Sequence, residues 1–307
     1  MALYTPRKFE LDADYCVRRD DKRHIRPYIF PETAVIAVDV ALATNRPLLI
    51  AGPPGCGKSR LAEAMANVLG WHFLSKTITS RTRLEELTVE VDHLRRLHDA
   101  HRAASLKPDQ AYHNPGIFWW AFDRESAARR GLSAADAALP FPGRDGASAG
   151  EHHHTVLLID EIDKAEPDVP NDLLEPLDRS SFCLPDGTTL HANPEQQLLT
   201  VITTNREREL PQAFLRRCVS LVLGEPKRDT LLAIGNAHFG DECRTLIEVL
   251  ADKLIKIHEA SSTSGRRPPG TSEFLDAIRT CKELSIDVAD TKLWSQIERA
   301  VLVKPTV

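Results

Sequence analysis

The sequence predicts an α/β fold in which helices flank a parallel sheet, followed by a small all-helical domain. Two observations support this prediction. Short continuous apolar runs alternate with helical stretches over residues 31–224, as in parallel sheets whose strands are buried on both faces. Residues 225–307 contain only amphipathic helical stretches. We therefore expect an N-terminal arm at residues 1–30, an α/β domain at 31–224 and a helical domain at 225–307.

The elements of the α/β part follow one another along the chain. A first helix begins after Pro31 and ends before Pro47, and a second runs from Lys58 to Leu69, where Gly70 ends it. Strands are predicted for the runs PLLIA, WHFLS, HTVLLID and LLTVITTN. The run FCLPDGTTLH is predicted to be a hairpin that turns at its Asp-Gly pair.

Composition excludes several classes of protein. The 307 residues are 42% apolar and 27% charged, the balance of an ordinary globular protein. No stretch approaches the roughly 20 apolar residues that cross a bilayer, and the N-terminus is too polar for a signal peptide, so we expect a cytoplasmic protein without a membrane span. The net charge of -5 disfavours nucleic acid as a partner, without excluding a local basic patch.

Two weaker patterns each have a structural and a functional interpretation. The aromatic group Phe118, Trp119, Trp120 and Phe122 is expected to pack in the core or at a subunit interface rather than to grip a substrate. The histidine run at residues 152–154 is interpreted as a loop entering a strand. Neighbouring side chains point to different faces, which disfavours a shared metal ion.

The run GPPGCGKS lies between a predicted strand and a predicted helix. Glycines there let the backbone approach a phosphate closely, a lysine supplies charge for the β- and γ-phosphates, and a serine hydroxyl binds Mg²⁺. A chance Gly/Pro turn is the alternative, but the flanking strand and helix favour an ATP-binding phosphate loop. The predicted nucleotide-binding residues are Gly52, Pro53, Pro54, Gly55, Cys56, Gly57, Lys58, Ser59 and Arg60.

An acidic pair ends the buried run LLID. Ligands of open α/β sheets bind at the carboxyl ends of the strands, so Asp160 is predicted to hold Mg²⁺ together with Ser59. Glu161 is predicted to activate the water that attacks the γ-phosphate. A solvated strand end is the alternative interpretation.

Two later positions complete the predicted catalytic set. Asn205 ends the strand VITTN and would orient the attacking water, although asparagine is also common in turns. Arg216 and Arg217 end a predicted helix, where they either stabilise the helix terminus or reach a neighbouring subunit's γ-phosphate as an arginine finger.

These motifs, in this order and before a helical region, resemble the P-loop NTPases of the AAA+ ATPase class. The runs LLIDEIDKAEPDVPNDLLEPLD, FCLPDGTTLH and LPQAFLRRC are most similar to MoxR-like ATPases. The resemblance implies that Asn205 is the first sensor and that the helical domain is a lid. It aligns Arg217 best with the finger and leaves Arg216 as the other candidate. It also implies a homo-hexameric ring that remodels or activates a protein partner, often one with a von Willebrand factor A domain.

The sequence departs from this family at the second sensor. Such proteins usually place an arginine at the start of a lid helix, where this chain has PPGTSEFLDAI with Glu273 near the basic position. Arg266 and Arg267 lie just upstream and are candidate substitutes. A nucleic-acid-directed motor or defence subunit, and a slowly hydrolysing nucleotide-gated scaffold, are the alternative functions.

Overall fold

The computed structural model describes residues 5–11, 15–20, 25–102, 106–133, 138–147, 153–264, 268–286 and 291–302. The strands are β1 (Cys16–Val17), β2 (Tyr28–Ile29), β3 (Leu48–Ala51), β4 (His72–Thr77), β5 (Val89–Val91), β6 (His113–Pro115), β7 (Thr155–Asp160), β8 (Ser181–Cys183), β9 (Thr189–His191), β10 (Leu198–Thr204) and β11 (Val219–Val222).

The α-helices are α1 (Glu32–Thr44), α2 (Lys58–Leu69), α3 (Leu84–Leu87), α4 (His93–Arg102), α5 (Ile117–Phe122), α6 (Arg124–Ala128), α7 (Asp168–Asp172), α8 (Leu174–Arg179), α9 (Gln212–Arg217), α10 (Arg228–Phe239), α11 (Arg244–Ser264), α12 (Thr271–Glu283) and α13 (Thr291–Ile297). Among the described helices, none combines the length and the apolar character that a bilayer-crossing segment requires.

A five-stranded parallel sheet in the order β11-β3-β10-β7-β4 forms the centre of the protein. This confirms the predicted fold class. The register pairs Thr204 of β10 with Ala51 of β3, and Ile202 of β10 with Ile159 of β7. Parallel pairing therefore brings the carboxyl ends of β3, β7 and β10 to one edge of the sheet, directly before the three predicted motifs.

The strand β11 was not predicted from the sequence. It pairs with β3 at the edge of the described sheet, where it buries Leu221 but leaves Val222 58% exposed. Such a short, half-exposed strand lacks the continuous apolar run of a central strand, and it directly follows the arginines of α9.

The two predicted N-terminal helices have the expected bounds. α1 ends at Asn45, whose left-handed backbone (φ 53°) stops the helix, and α2 ends at Gly70 with φ 68°. The arm is tied to α1 by Asp39, whose carboxylate accepts the backbone N–H groups of Arg7 at 3.0 Å and Phe9 at 3.0 Å. The arm also contains the small antiparallel pair β1–β2, which the sequence did not predict.

The sheet is covered on both faces by apolar clusters. Successive residues of β7 alternate between them, with Val156 and Leu158 facing the cluster of α1 and α2, and Leu157 and Ile159 facing the cluster of α5. The aromatic residues of α5 are almost fully buried in the second cluster, so their predicted packing role is confirmed. A third cluster joins α10, α11, α12 and the C-terminal helical residues.

Two antiparallel hairpins extend from this core. The predicted β8–β9 hairpin is present, and Gly187 takes the left-handed conformation (φ 85°) that its tight turn requires. The strands β5 and β6 pair with each other, and α4 lies between them along the chain. None of the residues of α4 is buried, and Leu94 is 72% exposed.

Candidate active site

The loop from Gly52 to Ser59 connects β3 to α2 and forms a cradle that requires glycine. Gly55 and Gly57 have φ angles of 81° and 95°, which L-residues rarely adopt. A Cβ on Gly52 would lie 2.5 Å from the carbonyl oxygen of Leu223. The N-terminus of α2 opens on this loop, where its unpaired N–H groups and dipole favour an anion. The loop therefore fits a phosphate group.

Lys58, the first residue of α2, is only 6% exposed. Its Nζ donates to the carbonyl oxygens of Gly52 at 2.9 Å and Pro53 at 3.0 Å, and to Asn205 Oδ1 at 2.8 Å. No carboxylate within the described ranges forms an ion pair with this ammonium group. A buried cation held only by neutral oxygens is suited to a phosphate, which would supply the missing negative charge.

The hydroxyl of Ser59 lies against the carboxylate of Asp160 at the end of β7. Ser59 Oγ is 2.9 Å from Asp160 Oδ1 and 3.0 Å from Oδ2. A hydroxyl and a carboxylate are the oxygen ligands that Mg²⁺ prefers, and Mg²⁺ usually takes one or two protein groups together with phosphate oxygens. These two residues therefore fit a Mg²⁺ site beside the cradle.

Thr203, which the sequence analysis did not single out, connects the two acidic residues. Its fully buried hydroxyl donates to Asp160 Oδ1 at 2.5 Å and accepts the backbone N–H of Glu161 at 2.9 Å. Glu161 has a left-handed backbone (φ 61°), so this bond helps to hold an unfavourable conformation. The threonines of VITTN are the sequence feature that could have indicated this role, since a central buried strand normally carries apolar side chains.

The carboxylate of Glu161 is held between two donors. Lys164 Nζ lies 2.6 Å from Oε2, and Asn205 Nδ2 donates to Oε1 at 3.0 Å. The bond from Lys164, reinforced by that from Asn205, holds the pKa of Glu161 below its usual value. Glu161 is therefore ionised at neutral pH, as a proton acceptor must be.

Asp163 anchors the loop that carries Asn205, and the sequence analysis missed it as well. This carboxylate is 2% exposed, and its Oδ2 accepts the backbone N–H groups of Asn205 at 3.0 Å and Glu207 at 2.9 Å. Both bonds fix the backbone at the point where β10 ends. The amide of Asn205 is thereby directed between Lys58 and Glu161.

Residues 47–218 match the family model of the AAA domain (dynein-related subfamily). The chain belongs to this AAA family. The matched residues are more than half of the chain and include the phosphate loop, the acidic pair and the strand-terminal asparagine. Nucleotide binding is a property of AAA domains, and ATPase activity is general in the family. No curated protein matches the sequence.

Neither predicted finger residue of the AAA domain is bonded to a member of this cluster within the described residues. Arg217 pairs with Asp178 and donates to the carbonyl oxygen of Ala213 at 2.9 Å. Arg216 is exposed, and its side chain forms no hydrogen bond with the other described residues. No bond described for this arginine pair (Arg216 and Arg217) reaches the phosphate loop of its own chain.

Arg46, a residue the sequence analysis did not select, bonds the end of the helix that carries the arginine pair. The Arg46 guanidinium donates to the carbonyl oxygens of Arg217 at 3.0 Å and Cys218 at 3.1 Å, and it also bonds that of Arg216. These carbonyls end α9 and have no partner within a six-residue helix. Arg46 therefore fixes the end of the helix that carries both arginines.

The helix α12 of the AAA protein contacts the phosphate loop directly. The backbone N–H of Ser272 donates to the carbonyl oxygen of Gly55 at 3.2 Å. Glu273 lies one residue further on and accepts the backbone N–H of Gly270 at 3.0 Å, which caps the helix. The carboxylate of Glu273 thus has a local capping role, while Arg266 and Arg267 lie outside the described residues.

Proposed function

We propose that the chain is a MoxR-like AAA+ ATPase that binds ATP with Mg²⁺, hydrolyses it in an oligomeric ring, and remodels or activates a protein partner. The observation that carries this proposal is a continuous hydrogen-bond network at the edge of the sheet, formed by side chains and the backbone N–H of Glu161. It runs from Ser59 through Asp160 and Thr203 to Glu161, and from Glu161 through Asn205 to Lys58.

Each member of the network has a role in this proposal. Lys58 and the loop N–H groups bind the β- and γ-phosphates, while Ser59 and Asp160 hold Mg²⁺, which neutralises phosphate charge when bound. Glu161 accepts the proton of the attacking water. Asn205 holds the Glu161 carboxylate in position, and Asp163 holds Asn205.

The arginine pair supports an oligomer. Within the described residues this pair forms no bond to the phosphate loop of its own chain. We infer that a neighbouring subunit supplies the finger. The exposed Arg216 is as suitable a finger as Arg217. Arg217 can reach a neighbouring subunit only if its ion pair with Asp178 breaks. A homo-hexamer with a lid at residues 225–307 and a von Willebrand factor A partner is the assembly that the MoxR resemblance favours.

Three variants test this assignment. Glu161→Gln should retain ATP binding and lose most phosphate release, because an amide cannot accept the proton. Lys58→Ala should lose ATP binding in calorimetry. Mixing Glu161→Gln protein with protein that lacks the arginine pair should restore some hydrolysis. In the mixed rings, some interfaces combine the intact Glu161 of one subunit with the intact arginine pair of its neighbour.

The outcome of the mixing experiment is decisive if co-assembly is shown by size-exclusion chromatography. Absence of recovery in mixed rings would contradict the finger in trans. Arg216→Ala and Arg217→Ala proteins, each mixed with Glu161→Gln protein, identify the finger. The variant that lacks the finger should be inactive alone and regain hydrolysis on mixing, whereas the other variant should hydrolyse ATP without mixing.

A slowly hydrolysing nucleotide-gated scaffold is the second candidate. The observation that favours it is the capping bond of Glu273, which places a carboxylate near the position where the family uses an arginine. A turnover that stays low in assembled rings, even with a saturating protein partner, would support this candidate. Stimulation of turnover by DNA or RNA would instead support a nucleic-acid-directed motor.

A further inference from the structure

We propose that the cleft between the arm, α2 and α12 is a second ligand site, which binds a small molecule carrying two or more phosphate groups and thereby alters ATP turnover. The second part of this proposal rests on the ATPase function proposed above, whereas the binding itself does not.

The cleft has the size of a small-molecule site. Its volume is about 840 Å³, within the range of about 300–1,000 Å³ that is typical of ligand pockets. Its lining contains six cationic side chains but only two carboxylates, those of Glu63 and Glu283. The cations are Arg19, Arg26, Arg60, Arg144, Arg279 and Lys282.

The carboxylates cannot neutralise this charge. Glu63 is shared, since it pairs with Arg60 and, through Oε1 at 2.6 Å, with Arg144. The side chains of Arg26 and Lys282 are exposed and form no hydrogen bond or ion pair with any other residue in the described ranges. Positive charge therefore remains in excess in the cleft, which favours binding of an anion.

The cationic groups also affect one another. Burial lowers the pKa of Arg60, and the charges of Arg26 and Arg144 lower it further. Burial lowers the pKa of His238, which also lines the cleft, to about 4, with further contributions from Arg60 and Arg279. His238 is thus neutral at pH 7. A bound polyanion would relieve the repulsion among the remaining cations.

The nucleotide held by the phosphate loop does not account for this charge. Of the residues predicted to bind the nucleotide, Gly52 to Ser59 do not line the cleft, and Arg60 contributes to it from the first turn of α2. Glu63 pairs with Arg60 and Arg144, and Asp276 pairs with Arg279. The base and ribose of a nucleoside triphosphate carry no negative charge, so they would leave the charges of Arg26 and Lys282 without a counter-charge among the described residues. Guanidinium groups bind phosphate through paired N–H bonds, and phosphate esters or anhydrides are therefore the ligand class that matches the lining.

The position of the cleft suggests how binding would alter turnover. Arg26 belongs to the arm, Arg60 to α2, and Arg279 to α12. An anion that bonds all three would hold α12 against α2. Because Ser272 at the start of α12 bonds the carbonyl of Gly55, the same motion reaches the phosphate loop. Bound polyanion should therefore change the rate at which ATP is hydrolysed.

Calorimetry on the full chain tests the binding. A saturating non-hydrolysable ATP analogue with Mg²⁺ first fills the phosphate loop, and free Mg²⁺ is kept constant. Inorganic tripolyphosphate and adenosine 3′,5′-bisphosphate are then titrated separately, so that an inorganic and a nucleotide source are distinguished. We expect saturable binding of at least one probe, weakened at least tenfold in Arg279→Gln/Lys282→Gln and by high salt.

A matched control removes the same charge elsewhere. Arg244→Gln/Lys256→Gln changes two cations of α11 that do not line the cleft, and it should bind the probes as the wild type does. Thermal unfolding without probe checks that both double variants are folded. If Arg279→Gln/Lys282→Gln is unfolded, single Lys282→Gln replaces it, with a smaller but measurable loss expected.

Binding that disappears when the ATP analogue is saturating would overturn the proposal, because the cleft would then be part of the nucleotide site. Equal affinity in the cleft variant and the control would also overturn it. Turnover measured with and without the probe tests the regulatory part, and it should respond in the control but not in the cleft variant. Intact probe binding in a protein without ATPase activity would count against the proposed function alone.

Discussion

Replacement of Thr203 by valine tests whether one hydroxyl holds both acidic residues of the site. The side chain is fully buried, donates to Asp160 Oδ1 at 2.5 Å and accepts the backbone N–H of Glu161 at 2.9 Å. Valine has nearly the same shape but no polar atom. The N–H of Glu161 would lose its acceptor, and Asp160 would lose one of its two hydroxyl donors.

The expected loss of stability follows from these two bonds. A buried donor left unsatisfied costs about 1–3 kcal/mol, and a lost hydrogen bond to a charged group costs a similar amount. Because Asp160 is only half-buried and keeps the bond from Ser59, we expect Thr203→Val to lower the free energy of unfolding by about 2–4 kcal/mol. Displacement of Glu161 should also lower kcat, on the order of tenfold to a hundredfold.

Denaturant unfolding and phosphate release at saturating ATP measure the two effects. Thr200→Val is the matched control, because Thr200 is buried in the same strand and its hydroxyl bonds no other described residue. Thr203→Ser keeps the hydroxyl and should recover most of the activity. Equal unfolding free energies for the two valine variants, with turnover undiminished in Thr203→Val, would refute the role of this hydroxyl.

Three further changes have expected outcomes. Lys164→Met should raise the pKa of Glu161 towards its usual value, so that the acid limb of the pH profile of kcat moves to higher pH; an unmoved limb would contradict the role of this ion pair. Arg46→Ala should destabilise the end of α9 by about 1–2 kcal/mol and lower turnover while ATP affinity in calorimetry is unchanged. The pKa of His238 is about 4 in the folded protein, below the usual value of 6.5 that applies to the unfolded chain. The stability that its neutral form contributes is therefore present above pH 6.5 and is lost as the pH falls from 6.5 towards 4. His238→Gln should therefore show a smaller decrease in unfolding free energy than the wild type between these pH values, and parallel curves would exclude this assignment.

The sequence alone was sufficient for features that depend on local patterns. The bounds of α2 follow from a glycine-rich loop and a terminal glycine, and the strand ends before Asp160 and Asn205 follow from short apolar runs. Because parallel strands align their carboxyl ends, these patterns also predicted that the motifs meet at one edge of the sheet.

Only the tertiary structure identified what depends on distant residues. Thr203 and Asp163 look like ordinary polar residues in sequence, and their roles come from bonds to partners about forty positions away. The cationic cleft combines residues of the arm, α2 and α12, which no local pattern relates. The direction of the Glu273 carboxylate depends on the backbone at the start of α12. Local propensity determines which elements form, whereas long-range packing decides which side chains meet.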